Sequence, residues 1–234
     1  MLENLVVEFA WQLRLSHEGR ACLVMERPGR RLRFDPLGPV LADDLVILTG
    51  ADPMSYEHVV ANPHVIRPHG KEVQTEIDGM QFEGIPYIPP QNDGRVSRLA
   101  AAIREPADAA RRWMAKRSLD PHMVWQITFP IGERLVHLGH AFHAETHVGW
   151  AADVVTRFGG ARWVIVGAPY GHYDAVLNRI AAMSATHLLV ADLQSDIRRA
   201  AGRPTKLLTP LVDQMESAGL PVMIFVSQSS IRFE

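Results

Sequence analysis

Cysteine is nearly absent from this chain of 234 residues, where Cys22 stands alone. No disulfide can form within the chain, and a reducing compartment fits that usage. Charge imbalance is lacking too. The 24 Lys and Arg against 26 Asp and Glu leave a formal net charge of -2. That balance gives no broad attraction to nucleic acid or to an anionic membrane. No apolar run approaches the roughly 20 residues that cross a bilayer. The N-terminus carries Glu3 and Glu8 in place of a basic region, so a secretory signal is not expected. Low-complexity segments and flexible linkers are missing as well. These absences predict a cytoplasmic protein with no nucleic-acid and no membrane partner.

What is present is ordinary for a globular protein with a substantial core: 47% hydrophobic and 21% charged residues. Residues 1–234 read as one domain, although this length could also hold two small ones. Histidine is the informative residue, with 11 copies, several of them clustered.

Apolar runs bounded by turn chemistry predict strands at 4–15, 21–26, 31–35, 45–49, 64–67, 72–77 and 80–85. A polar break is expected at 16–19. Pro28-Gly29 and Asp78-Gly79 are hairpin signals. Further on, strands are predicted at 124–129, 134–138, 163–166, 187–190 and, as the last, 222–226. Helices are predicted at 55–60, 95–116 (divided by Pro106), 145–158, 173–183 and 211–218. Gly159-Gly160 and Gly219 stop two of them.

The stretch 45–55, LVILTGADPMS, is the focus of the chain. A buried strand here ends in a polar turn, the arrangement that brings side chains to the rim of a sheet. A hairpin followed by such a strand occurs twice, at 23–50 and again at 125–170. This pattern predicts two stacked sheets with helices outside.

The order LSHEGRACLVMERPGRRLRFDP, then ADDLVILTGADPMSYEHV, resembles the metallo-β-lactamase superfamily, most of all its branch around L-ascorbate-6-phosphate lactonase. In that branch a hairpin ends in Asp-Pro, and a strand ends in Thr-His-x-His-x-Asp-His. Asp35-Pro36 matches the first feature and Leu48-Thr49 the second. Leu138-Gly139-His140 is similar to a later Leu-Gly-Asp segment. The resemblance implies an α/β fold, a four-layer αββα sandwich, with a metal site at one edge of the sheets.

The motif itself departs from the pattern. Gly50 and Asp52 stand at its first two histidines, Met54 at its aspartate and Ser55 at its last histidine. Gln91 lies near the next expected histidine, His140 at the bridging aspartate and Asp192 at the final histidine. Glycine and methionine are no ligands for a hard or borderline dication, and serine is a poor one. The usual dinuclear centre therefore cannot be assembled from this set.

The resemblance would bring Asp52, His140 and Asp192 to three loops of one pocket. Two carboxylates and an imidazole could hold one divalent metal, zinc, iron or manganese. Otherwise Asp52 caps a turn, His140 bonds within a loop and Asp192 ends a strand. The run His137, His140, His143 and His147 is a second metal candidate, though its spacing is not that of a single helix. Ser16 and His17 are adjacent, and adjacent residues of an extended chain point to opposite faces. Cys22 reads as a small buried hydrophobe. Trp113 and Trp150 read as anchors of helices to the core.

Three functions follow. The leading one is a protein of this fold without the dinuclear site, serving binding or assembly, or using altered chemistry on a small-molecule ligand. Next is a mononuclear hydrolase of an ester, lactone or phosphoester, with His17 or His172 as acid or base. The third is a homo-oligomer with a structural role, in which residues 222–226 serve an interface.

Overall fold

The computed structural model describes residues 14–19, 22–27, 29–36, 38–50, 59, 62, 64–67, 70–87, 122–139, 141, 148–167, 173–191, 209–220, 222–225 and 230–232. Strands β2 (Cys22–Arg27) and β3 (Arg30–Phe34) form the first hairpin, in register from Leu23↔Phe34 to Arg27↔Arg30. β1 (Arg14–Gly19) pairs antiparallel with β2, and β13 (Ser230–Arg232) pairs with β1 from the other side. β4 (Leu45–Ile47) joins β3 in parallel, and β5 (Val65–Ile66) joins β4. The six-stranded order is β13-β1-β2-β3-β4-β5.

In the second sheet β6 (Val73–Ile77) and β7 (Met80–Tyr87) turn on Asp78 and Gly79, with φ of +54° and +77°. Positive φ at both central residues is the tight hairpin turn whose twist matches that of strands, and it selects Asp-Gly. β8 (His122–Thr128) and β9 (Arg134–Gly139) extend the sheet antiparallel; β10 (Trp163–Gly167), β11 (His187–Ala191) and β12 (Val222–Phe225) extend it in parallel. The seven-stranded order is β12-β11-β10-β9-β8-β7-β6. Both sheets contain a hairpin followed by a strand parallel to its second arm, β2-β3-β4 and β8-β9-β10. This is the duplication visible in the sequence.

Side-chain alternation sets the layers. Phe34 and Ile47 from the first sheet meet Phe82, Trp125, Leu135 and Ile165 from the second in a shared buried core. Val136, Val164 and Leu188 face the other way. They pack under helices α1 (Val148–Phe158), α2 (Tyr173–Ala182) and α3 (Thr209–Ser217) through Val154, Ile180 and Met215. On the first sheet Val46 and Leu48 face outward and pack with Val59. Val59 is the one described residue of the helix expected at 55–60, and it is helical.

The structure corrects two expectations. The polar run at 16–19 is no break, because β1 continues through it to Gly19, bonded to β2. Ser16, His17 and Gly19 pair with β2, and Ser16 pairs with β13 as well; this pairing outweighs the polar composition. The strand at 222–225 is not the last, since β13 follows it and closes on β1. The helix expected at 95–116 lies outside the described residues. Among the described residues, no helix is long and apolar enough to cross a membrane.

The loop before β4 is clamped by charge. Arg31 donates Nε and Nη2 to the two oxygens of Asp44, at 2.8 and 2.7 Å. Asp44 also accepts Leu41 N at 2.9 Å, and buried Arg33 donates to Pro39 O at 2.7 Å. At the same end, the His187 ring stacks on Trp163 with centroids 4.1 Å apart. Burial, helped by the Arg162 cation, pushes the His187 pKa below its ordinary 6.5. A base with a depressed folded pKa contributes stability above its unfolded pKa and loses it as pH falls. Proton NMR titration of the His187 ring should therefore give a midpoint below 6.5, with stability declining as pH is lowered through that region.

Candidate functional site

Thr49 and Gly50 leave the C-terminal end of β4, and Asp35, just after β3, holds them. Asp35 Oδ1 accepts Thr49 N at 2.8 Å, and Oδ2 accepts the Thr49 hydroxyl. Asp35 is buried and takes φ +42°, a left-handed conformation that aspartate tolerates better than most residues. Its own N donates to Ile47 O at 3.1 Å. The Thr49 carbonyl then accepts Met123 N at 2.7 Å. That bond ties the end of β4 in the first sheet to the start of β8 in the second.

The tie brings Gly50 against His122. A Cβ on Gly50 would lie 2.5 Å from His122 Nδ1 and 2.7 Å from its Cε1. Carbon and nitrogen do not approach that closely without a bond, so only glycine fits while the ring stays. His122 is half-buried. Its ring meets Tyr87 edge-on, with centroids 6.3 Å apart. Tyr87 in turn packs on Trp150 at 4.8 Å, and Trp150 Nε1 donates to Pro86 O at 2.9 Å. Trp150 thus anchors α1 to the sheet, as expected from the sequence.

His137 lies nearby in β9 but belongs to the core. It is 1% exposed and stacks on Phe34 with centroids 5.1 Å apart. Gly139 follows at the end of β9 with φ +53°, and a Cβ there would lie 4.0 Å from Thr49 Oγ1. Asp35, Thr49, Gly50, His122 and Gly139 thus gather at one end of the sandwich. A separate crevice of about 90 Å³ opens at the other end, between Leu32, Leu45, Ile77 and Met80. Arg30 and Asp78 on its wall pair at 3.4 Å.

Of the site residues expected from the sequence, Gly50 is placed here. His17 lies in β1 opposite Leu23, in a row that runs through Phe34 to Ile47. Three strand spacings separate it from β4, about 14 Å. Asp52, Ser55, Gln91, His140, His172 and Asp192 lie outside the described residues, as do His143 and His147. Gly139 and Ala191, the residues just before His140 and Asp192, end the two strands that flank β10. Among the described residues, no three His, Cys, Asp or Glu side chains converge as a metal would require.

Sequence reasoning missed His122. The strand is expected from 124 and begins at His122, and no local pattern reveals which residue of the other sheet a strand end will touch. The sequence shows Asp35 as the end of a hairpin, and its place as the acceptor for Thr49 comes from β4 lying beside β3.

No family model matches the chain, and no curated protein matches it. Solved structures do. Igni18, a metallo hydrolase from Ignicoccus hospitalis, superposes with a TM-score of 0.60 at 13% identity, over 95% of this chain and 98% of that one. The metallo-β-lactamase fold protein YhfI from Bacillus subtilis gives 0.55 at 10% identity, over 93% and 96%. This chain has the metallo-β-lactamase fold. CmlA, a diiron β-hydroxylase from Streptomyces venezuelae, gives 0.62 at 10% identity, over 97% of this chain and 54% of its own. The fold is thus shared here by a hydrolase and a hydroxylase, and the chemistry must be argued from the side chains.

Proposed function

We propose that this is a metallo-β-lactamase-fold protein without the dinuclear centre. It uses the end of the sandwich around Gly50 and His122 as a binding pocket for a small molecule, in binding or assembly or in altered chemistry. One observation carries the reading: position 50 supplies no donor atom, and the His122 ring fills the space that a side chain there would need. A pair of catalytic metals needs several imidazole and carboxylate donors, so this set of residues does not fit one. Asp35-Pro36 and Leu48-Thr49 support the branch around L-ascorbate-6-phosphate lactonase. The even charge and single cysteine support a cytoplasmic setting. Native mass spectrometry after dialysis against excess zinc should show no more than one metal per chain. Two retained zinc ions would end the proposal.

A second reading is favoured by the strand ends. Gly139 and Ala191 end the strands on either side of β10, and His140 and Asp192 are the next residues in sequence. Together with Asp52 they would hold one divalent metal, and His172 would move the proton, since His17 lies three strands away from β4. When bound, the metal supplies a water of lowered pKa for attack on an ester, lactone or phosphoester. His140→Ala should then abolish both metal binding and turnover. Turnover that survives the substitution rules this version out.

A further inference from the structure

We infer that the crevice at the far end of the sandwich from Gly50 is a binding site for an α-amino acid with a short aliphatic side chain. Arg30 takes its carboxylate, Asp43 takes its ammonium, and the side chain lies on the apolar floor. The inference goes beyond the reading of the Gly50 end and does not rest on it.

The floor comes first. Leu32 in β3 pairs with Leu45 in β4, and Ile77 and Met80 flank the Asp78-Gly79 turn of the other sheet. Leu32 and Met80 are buried in the shared core, whereas Leu45 and Ile77 are only partly covered. The space among them is about 90 Å³. One water needs about 10–15 Å³ of such space. The crevice therefore holds a group of several heavy atoms, and it is too small for a drug-sized molecule. Apolar walls favour an aliphatic group over water, and the flexible Met80 side chain can adjust to its shape.

The rim carries charge of both signs. Arg30 and Asp43 each stand two residues before the Leu32↔Leu45 pair, and both line the crevice. Arg30 is 59% exposed and meets Asp78 through Nε at 3.4 Å. An exposed pair of that length contributes little. The two Nη atoms of Arg30 donate no hydrogen bond among the described residues, and a guanidinium fork suits the two oxygens of a carboxylate. Arg31 is no rival, because its own fork is taken by Asp44. Asp43 is exposed and forms no ion pair among the described residues, so its carboxylate is open to an ammonium. His64 on the same rim offers a hydrogen bond to either head group. One open cation and one open anion above an apolar floor complement a zwitterion better than an ion of either sign.

The test uses the full chain and four probes: L-leucine, 4-methylpentanoate, 3-methylbutylamine and glycine. In calorimetry L-leucine should bind once per chain. The other three lack the ammonium, the carboxylate and the side chain in turn, and each should bind at least about tenfold more weakly. The methyl resonances of Leu45 and Met80 should move when leucine binds. Arg30→Gln and Asp43→Asn should each weaken leucine binding about tenfold. The melting temperature should change little, since both side chains are exposed.

Several results would overturn the inference. They are no leucine bound at millimolar concentration, leucine bound with these methyl resonances unmoved, or 4-methylpentanoate bound as tightly as leucine. Leucine binding that survives both Arg30→Gln and Asp43→Asn would overturn it too. If a variant fails to fold, the ranking of the four probes on the wild type still decides. None of these results bears on the Gly50 end, which metal content tests separately.

Discussion

Asp44→Ala should destabilise the protein by about 3 kcal/mol, the lower end of what breaking a buried ion pair costs. The carboxylate is 3% exposed and takes both donors of the Arg31 fork. Arg31 itself is 28% exposed, so part of its charge is solvated when the partner is lost. Arg33, 5% exposed and 3.8 Å from Asp44, is not so relieved. Leu41 N also loses its acceptor. Burial by itself would raise the Asp44 pKa. The hydrogen bonds from Arg31 and Leu41 and the charges of Arg31 and Arg33 outweigh it and hold the pKa below the ordinary 3.8. A carboxylate with a depressed folded pKa contributes stability above its unfolded pKa and loses it as pH falls through the folded one. Urea unfolding of wild type and variant should therefore differ most above pH 4, with the two converging in stronger acid. A difference that stays constant down to pH 2 would assign the effect to packing instead of charge.

Asp35→Ala should cost about 3 kcal/mol as well, from hydrogen bonds to a charged acceptor. Two of them hold Thr49, through its backbone N and its hydroxyl. Both donors belong to a buried residue and would be left without that acceptor. Alanine also tolerates the φ of +42° less well than aspartate. The consequence reaches the end of the sandwich around Gly50, because Thr49 O accepts Met123 N and Gly50 packs on His122. Loss of stability should thus come with a shifted His122 ring resonance. Asp35→Asn keeps one carbonyl acceptor and should fall between the two. An Asp35→Ala variant with wild-type stability would mean that the Thr49 bonds contribute nothing net.

Much of the fold is legible in the sequence, because the elements that carry it obey local rules. Asp78-Gly79 dictates a tight turn whatever lies around it, and the run at 163–167 between turn residues has the length and composition of a buried strand. The β1 run from Ser16 to Gly19 misleads because its polar side chains hide a backbone that is paired on one or both sides. β13 is short, and its strand character comes from β1, more than 200 residues earlier in the chain. The site follows the same division. Gly50 is visible as a departure from a motif, since that needs only a run of letters. Its cause is not visible, because the ring that excludes a side chain there comes from β8 in the other sheet.

The most direct test is anomalous diffraction from crystals of the full chain soaked in zinc. No pair of metal peaks is expected where β4 and β8 meet, because position 50 supplies no side-chain donor and the His122 ring fills the space beside it. Two peaks about 3.5–4 Å apart at that edge, the spacing of a two-metal hydrolase, would contradict it.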